Sequence, residues 1–360
     1  MGGDVMLNDQ KNNRARWFLV ALSLVIGSSA GAVLAQSGDS AAAAGFSGPE
    51  RQQHLIDGAR KEGEVMIYTS IQAPEFSLIT AAFEKKYGLK VKVWRSSSEN
   101  ILQRAVSEAR AGRYDVDVIE TAGPELESLH REKMLQAVNS PYLNGLIEQA
   151  VPTHRDWIGT RLDVITMAYN TKLIKKEDLP KTWEDLLDPK WKGKLGIEAD
   201  DADWFATISG ELGEAKSVKL FRELVAANGV SVRKGHSLLL NMVASGEVPL
   251  ALDIYNYKAE QMKKKGVPID WFTVGPAVAA PMAAGVMHHA PHPNGAVLFF
   301  DFMLTEAQPI MQTHDIVVTA KKMETDLNSM PLRFIDPKLV LDENDKWDKL
   351  FTEVFNKHVK

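Results

Sequence analysis

Two tyrosines separated by a single residue, in the run Ile254-Tyr255-Asn256-Tyr257, are the residues of this 360-residue chain best placed to do chemistry. A free phenol loses its proton near pH ~10. Only a strongly Lewis-acidic ion such as Fe(III) would therefore recruit the pair as phenolate ligands. As neutral side chains they would wall a cleft and hydrogen-bond an organic solute. Three serines, Ser96, Ser97 and Ser98, precede a helical pattern. Free N–H groups at a helix start, joined by hydroxyls, hold an anion without a charged side chain. Ser96 with Glu99 also reads as a capping box that only closes the helix end. Asp200, Asp201 and Asp203 lie beside Trp204. That set could cradle an organic cation by charge and cation–π attraction, or serve the start of the next helix.

His288, His289 and His292 fall in a stretch marked as a loop by Pro281, Pro291 and Pro293. Two of the three are sequence neighbours and no HExxH helix accompanies them, so they read as zinc ligands or as solvated loop histidines. Arg233 and His236 flank a helix start and could meet an anion or lie on the surface. No GxSxG elbow, Walker A loop or dinucleotide-binding glycine pattern is present. A metal-dependent hydrolase built on the histidine loop and the acidic cluster stays open as an alternative; the expectation is that the chain is not an enzyme and holds no cofactor of its own.

These residues must be positioned by alternating strands and helices. Glu64 to Thr69 is β-rich, and Pro74 opens a helix with Phe76, Ile79, Phe83 and Tyr87 on one face, ended by Gly88. Leu89, Val91 and Val93 alternate as a strand would. A helix to Ala109 and a strand through Val116, Val118 and Ile119 follow. This order predicts right-handed crossovers and a mainly parallel sheet. Val164 to Tyr169 predicts a buried strand leading into a second lobe, with helices near residues 202–212, 215–228 and 237–245 and a closing strand at Val248 to Ile254. Trp271 to Val274 reads as a returning strand, and helices at 295–304 and 306–313 rejoin the first lobe.

At this length the chain can fill two cores. Net charge is −5 with the basic residues dispersed, which disfavours nucleic acid as a partner. The absence of cysteine excludes disulfides, thiol catalysis and cysteine-based metal sites. Lys11, Arg14 and Arg16 precede an apolar run from Trp17 to Ile26 and small residues to Ala35, the layout of a cleavable export signal over 1–35. An uncleaved anchor is the other reading. Residues 36–50 read as a small-residue linker. The predicted division is lobe one over 51–163, lobe two over 164–270, and lobe one again with a C-terminal tail over 271–360.

Several stretches resemble type II periplasmic solute-binding proteins of ABC importers. VMIYTSIQAPEFSLITAAFEKKYGLKV looks like their first strand and helix, and YDVDVIETAGPELESLHREKML like the third strand and its helix. ITMAYNTKLI is similar to the lobe-crossing strand, TWEDLLDPKWKGKLGI to the entry to lobe two, and ASGEVPLALDIYNYKAEQMKKKG to the second crossing and its helix. The nearest branch is the ferric-iron and phosphonate type. The resemblance implies an α/β fold of two lobes, each a mainly parallel sheet flanked by helices, joined by two hinge-crossing strands. It further implies a cleft receptor that is periplasmic and monomeric, works with an inner-membrane ABC permease and closes on its ligand. Iron-binding members place adjacent tyrosines where Asn256 here separates Tyr255 from Tyr257, and a histidine where Gln72 stands. The expected ligand is accordingly a small anionic solute (carboxylate, phosphonate or metal–anion complex), with Fe(III) carried by Tyr255 and Tyr257 as the alternative. The candidate binding set is Ser70, Gln72, Ser97, Ser98, Thr121, Asp201, Trp204, Tyr255 and Tyr257.

Overall fold

A computed structural model describes residues 40–355, so the export-signal segment lies outside the described residues. The first core is built on β1 (Glu64–Thr69), β2 (Lys90–Arg95) and β3 (Val118–Ala122), which run parallel in the order β2-β1-β3. The helices α1 (Arg51–Glu62), α2 (Ala73–Tyr87), α3 (Ser98–Arg110) and α4 (Gly123–Arg131) accompany them. In α2 the predicted face is the buried one: Phe76, Ile79, Phe83 and Tyr87 point inward, and Gly88 ends the helix in the left-handed conformation. Residues 40–45, expected as linker, are helical instead. Ala43 and Ala44 are buried in the first core, because small side chains let the segment lie close against the strap at Asn139, whose N–H donates to the Ala44 carbonyl.

Two long strands join the lobes. β5 (Ile158–Asn170) is buried throughout, its residues up to Val164 belonging to the first core and Ile165, Met167 and Tyr169 to the second. In lobe two it pairs antiparallel with β8 (Leu250–Tyr255), which pairs in parallel with β6 (Leu195–Glu198), itself parallel to the edge strand β7 (Ser231–Arg233). The helices α5 (Ala202–Leu212), α6 (Glu214–Asn228), α7 (His236–Ser245) and α8 (Asn256–Lys264) complete this lobe with β9 (Ile269–Phe272), another partner of β5. The second crossing is not the segment around β8 but β10 (Ala277–Met287), antiparallel to both β5 and β3, with the two-residue strands β4 (Leu135–Gln136) and β11 (Val317–Val318) paired to β10 and β5. Pro281, expected to mark a loop, is inside this strand. It falls between the residues paired to β3 (282–286) and those paired to the short β12 (Leu332–Phe334) at 277–279, so its missing N–H costs little pairing on that side.

After β10, α9 (Pro293–Leu304) and α10 (Ala307–Gln312) return to the first core, and a buried ion pair joins Arg51 of α1 to Asp301 of α9. The C-terminal segment touches both lobes: Arg131 of α4 in lobe one pairs with Asp342 at 2.6 Å, while its aromatic side chains enter the second core. The helix α11 (Pro337–Phe355) packs on α5 and α6, where Trp347, Phe351 and Phe355 meet Phe205 edge-on at 5.9, 6.1 and 5.7 Å. Its amphipathic stripe at i, i+4 and i+8 needs an apolar partner, and lobe two offers one. Phe351→Ala should lower stability by about 3–5 kcal/mol through the cavity it leaves, read as an earlier chemical-denaturation midpoint. An unchanged midpoint would mean that α11 is not part of the second core.

Candidate functional site

The carboxyl ends of β1 and β2, the middle of β5 and the β8–α8 junction converge on a cavity of ≈ 260 Å³. Its floor is Arg161 on β5, a guanidinium fully enclosed between the lobes. Nε reaches Glu120 of β3 at 3.3 Å and Nη1 reaches Asp163 at 2.5 Å. Burial works against the Arg161 charge, but Asp163 and Glu120 outweigh it and hold the residue cationic. Glu120 in turn accepts from Thr69 Oγ1 at 2.6 Å, and its backbone carbonyl accepts from Ser70 N at 3.0 Å. The charge network therefore fixes the loop that presents Ser70, whose hydroxyl is buried without a hydrogen-bond partner.

The lobe-one wall is Ser70, Gln72, Glu75, Arg95 and Ser96 to Ser98. Arg95 donates Nε to the Ile71 carbonyl at 3.0 Å, leaving its terminal nitrogens free of protein partners among the described residues. The helix cap is Ser97, not Ser96: Ser97 Oγ accepts from Asn100 N at 3.4 Å, while Ser96 Oγ accepts from Asn100 Nδ2 at 3.1 Å. The helix begins one residue later than the Ser96–Glu99 spacing implied, which places Ser98 at its first position.

The lobe-two wall is Tyr255, Tyr257 and Lys258. Asn256 does not separate the tyrosines in space. Tyr255 ends β8 and Tyr257 lies in the first turn of α8. Asn256 turns inward to donate Nδ2 to the Leu327 carbonyl at 2.8 Å, so the two rings stack with centroids 6.2 Å apart and planes 13° from parallel. Burial, reinforced by Asp163, raises both phenol pKa values, so without a metal both remain neutral donors. Burial lowers the Lys258 pKa, partly opposed by Asp163 and Glu75. Its Nζ lies 5.6 Å from the Tyr255 ring and 3.2 Å from Ser237 Oγ.

Of the nine candidates, Ser70, Gln72, Ser97, Ser98, Tyr255 and Tyr257 line this cavity and three do not. Thr121 is buried on β3 with its hydroxyl turned away from the Glu120 face. Trp204 is 2% exposed and packs edge-on against Trp183 and Phe221, so no cation reaches its face. Asp201 holds the N-cap position of α5 without capping it and lies 3.3 Å from His236 Nε2. The histidine loop disperses: His292 pairs with Asp117 at 2.8 Å and His289 packs on Tyr114. Among the described residues no three-ligand cluster includes them. Arg95, Arg161, Asp163 and Lys258 were missed because isolated charges in strands and helices carry no spacing signal. Glu75, with one buried oxygen unpartnered, was hidden in the first turn of α2.

The cavity thus lies in a cleft between two α/β lobes joined by paired crossing strands. The model of the bacterial extracellular solute-binding protein family matches residues 71–308. The chain belongs to that family. As a bacterial extracellular solute-binding protein it is of a family that binds solutes rather than transforming them, which leaves the hydrolase alternative without support. It is 27% identical over 177 residues to an Fe(3+)-binding periplasmic protein of Serratia marcescens, an alignment covering 49% of this chain and 52% of that protein. The chain thus spans about half the length of that relative. The iron uptake protein A1 of Synechocystis is 24% identical over 272 residues, covering 70% and 74%. A Salmonella typhimurium periplasmic protein whose name provisionally assigns it to 2-aminoethylphosphonate is 26% identical over 244 residues, covering 63% and 68%. Iron-bound HitA from Pseudomonas aeruginosa superposes with a TM-score of 0.70 at 24% identity, over 81% of this chain and 99% of that one. At that identity the likeness establishes the fold, the two-lobed type II architecture.

One carboxyl outside this cavity titrates far from its ordinary range. Burial, then Asp203 and Glu99, push the Glu125 carboxyl at the start of α4 up to about 7. The folded protein therefore takes up a proton that the unfolded chain releases near 4.5. The stability this proton contributes is complete below about pH 4.5 and falls as pH rises through about 7. Glu125→Gln should leave the melting temperature unchanged near pH 4 and raise it near pH 8. Equal shifts at both pH values would refute the assignment.

Proposed function

We propose that this protein is the periplasmic receptor of an ABC importer for a small anion-bearing solute (a carboxylate, a phosphonate or a metal–anion complex). The observation that carries this reading is the set of donors around one small cavity. The N-terminus of α3 with Ser97 and Ser98, the free end of Arg95 and the orphaned Ser70 hydroxyl come from lobe one; Lys258 and the neutral phenols of Tyr255 and Tyr257 come from lobe two. Helix starts and guanidinium forks favour negative charge. The lowered Lys258 pKa describes an ammonium that has lost water and gains most from an anionic partner. Glu75, with its unpartnered oxygen, gives the same cavity one acceptor for a hydroxyl or ammonium of the solute. The export signal over 1–35 would bring the chain to the periplasm, where it acts as a monomer on an inner-membrane permease.

A solute touching both walls binds the closed arrangement better than the open one and shifts the population toward it. Ligand at a hundredfold over its dissociation constant should add ~2.7 kcal/mol to stability. A thermal-shift screen of small phosphonates, carboxylates and ferric–citrate should therefore return at least one clear rise. Arg95→Ala and Lys258→Ala should each weaken the responding solute by roughly tenfold to a hundredfold, the loss of a charged hydrogen bond. A screen without any shift would refute the receptor reading.

Bare Fe(III) is the second reading, favoured by the stacked tyrosines and the Glu75 oxygen, and by the names of the Serratia and Synechocystis relatives. Iron held by phenolates colours a protein in the visible. On this reading Fe(III) addition gives an absorption band that Tyr257→Phe removes. A protein that stays colourless with iron and binds its anion equally well in Tyr257→Phe would dismiss it.

A further inference from the structure

Behind the lobe-two wall, three side chains from three elements converge: Glu198 at the end of β6, Asp201 before α5 and His236 at the start of α7. One ligand atom of each lies within 4.8 Å of the other two. We propose that they form a metal site distinct from the solute cavity, which takes a divalent transition ion such as Zn(II) and braces the wall that carries Tyr255.

The hydrogen bonds around His236 carry the argument. Its Nδ1 lies 3.3 Å from the Asp253 carbonyl oxygen, which can only accept, so Nδ1 holds the hydrogen. In the neutral ring Nε2 is then a lone pair, and it faces Asp201 Oδ1 at 3.3 Å. Two acceptors face each other, so a proton must join them or a metal ion must bridge both from one side. A proton on Nε2 would answer Oδ1 alone. Asp201 is 7% exposed, its second oxygen, Oδ2, is buried without a donor, and the fully buried Asp253 carboxyl lies within hydrogen-bonding reach of the same carboxylate. A metal ion answers both, and an imidazole fixed through Nδ1–H to a carbonyl is how metal-binding histidines are held. Glu198 is already set as an acceptor: its two oxygens receive the N–H groups of Gly235 at 2.6 Å and Asp200 at 2.5 Å and keep further lone pairs. One imidazole nitrogen with carboxylate oxygens suits zinc and its neighbours rather than calcium or magnesium.

A second cluster of similar make-up shows what the hydrogen bonds decide. Glu127, His130 and His154 in lobe one also converge. There the Asp156 N–H donates to His154 Nδ1 at 3.1 Å, which makes Nδ1 the acceptor and places the hydrogen on Nε2, 3.2 Å from Glu127 Oε2. No lone pair of His154 remains for a metal. In lobe two the opposite tautomer leaves one. The His236 ring also packs tilted against Tyr255 with centroids 4.0 Å apart and planes at 46°, so an ion fixing His236 fixes a cavity side chain.

The test uses the purified full chain, stripped with a chelator and titrated with zinc alone. One zinc per chain is expected, with affinity reduced at least tenfold in Asp201→Asn and in His236→Gln and unchanged in Tyr257→Phe. That last variant separates this site from the ferric reading of the cavity. X-ray absorption of the zinc-loaded wild type should show a single imidazole with oxygen ligands, and this readout stands even where the variants fold poorly. Absence of zinc binding, zinc held equally by both folded variants, or a shell with two or more imidazoles would overturn the proposal.

Discussion

The charge on Arg161 is the constraint around which the cleft is organised. A guanidinium on a strand shared by both lobes cannot be hydrated, and leaving it or its partners unpaired would cost several kcal/mol. Its two carboxylates come from β5 itself and from β3, and Glu120 extends the network to Thr69 at the end of β1. Three strands are thereby locked in register where the solute cavity opens. The loops that follow those strands inherit their positions from this network, and the orphaned Ser70 hydroxyl is held in place by it.

Around that fixed floor the two walls differ in how their polar groups are kept ready. On the lobe-one side, donors are left free by backbone geometry: a helix start capped by only one of three serines, and an arginine tied down through Nε alone. On the lobe-two side, burial first, then Asp163 on the floor and Asp201 and Asp203 behind the wall raise the Tyr255 pKa, which keeps its hydroxyl a donor. The walls therefore offer hydrogens to the cavity, while most of the carboxylate charge is turned away into internal pairs.

Much of this was legible from residue order. The α2 stripe, the parallel strands of lobe one and the helices of lobe two follow from periodicity and from glycine stops, because each buries one face against one neighbour. The strand β10 was not legible. Its residues, AVAAPMAAGVM, are small because it is covered on both faces, and alanine with a central proline is a weak strand signal out of context. Trp204 misled for a related reason: an Asp–Trp pair looks like a cation cradle in sequence, while the helix that carries it turns the indole into an aromatic core with Trp183 and Phe221. The spacing of Tyr255 and Tyr257 implied a broken pair only if both lay on one regular element. A strand ending at the first and a helix beginning at the next residue bring them face to face.

That junction between β8 and α8 also explains how the binding wall is held rigid. Asn256 is fully buried and bonded to Leu327, outside the regular strands and helices, so the turn between strand and helix is anchored from behind. Tyr255 on one side of the anchor leans on His236, and Lys258 on the other reaches Ser237 at the start of the same helix, α7. Both wall residues thus refer their positions to a single helix start. A displacement of α7 would move a phenol and an ammonium together, and a solute that holds both in turn holds α7. On the proposed reading, the closing motion of lobe two is then transmitted through this helix start rather than through the crossing strands alone.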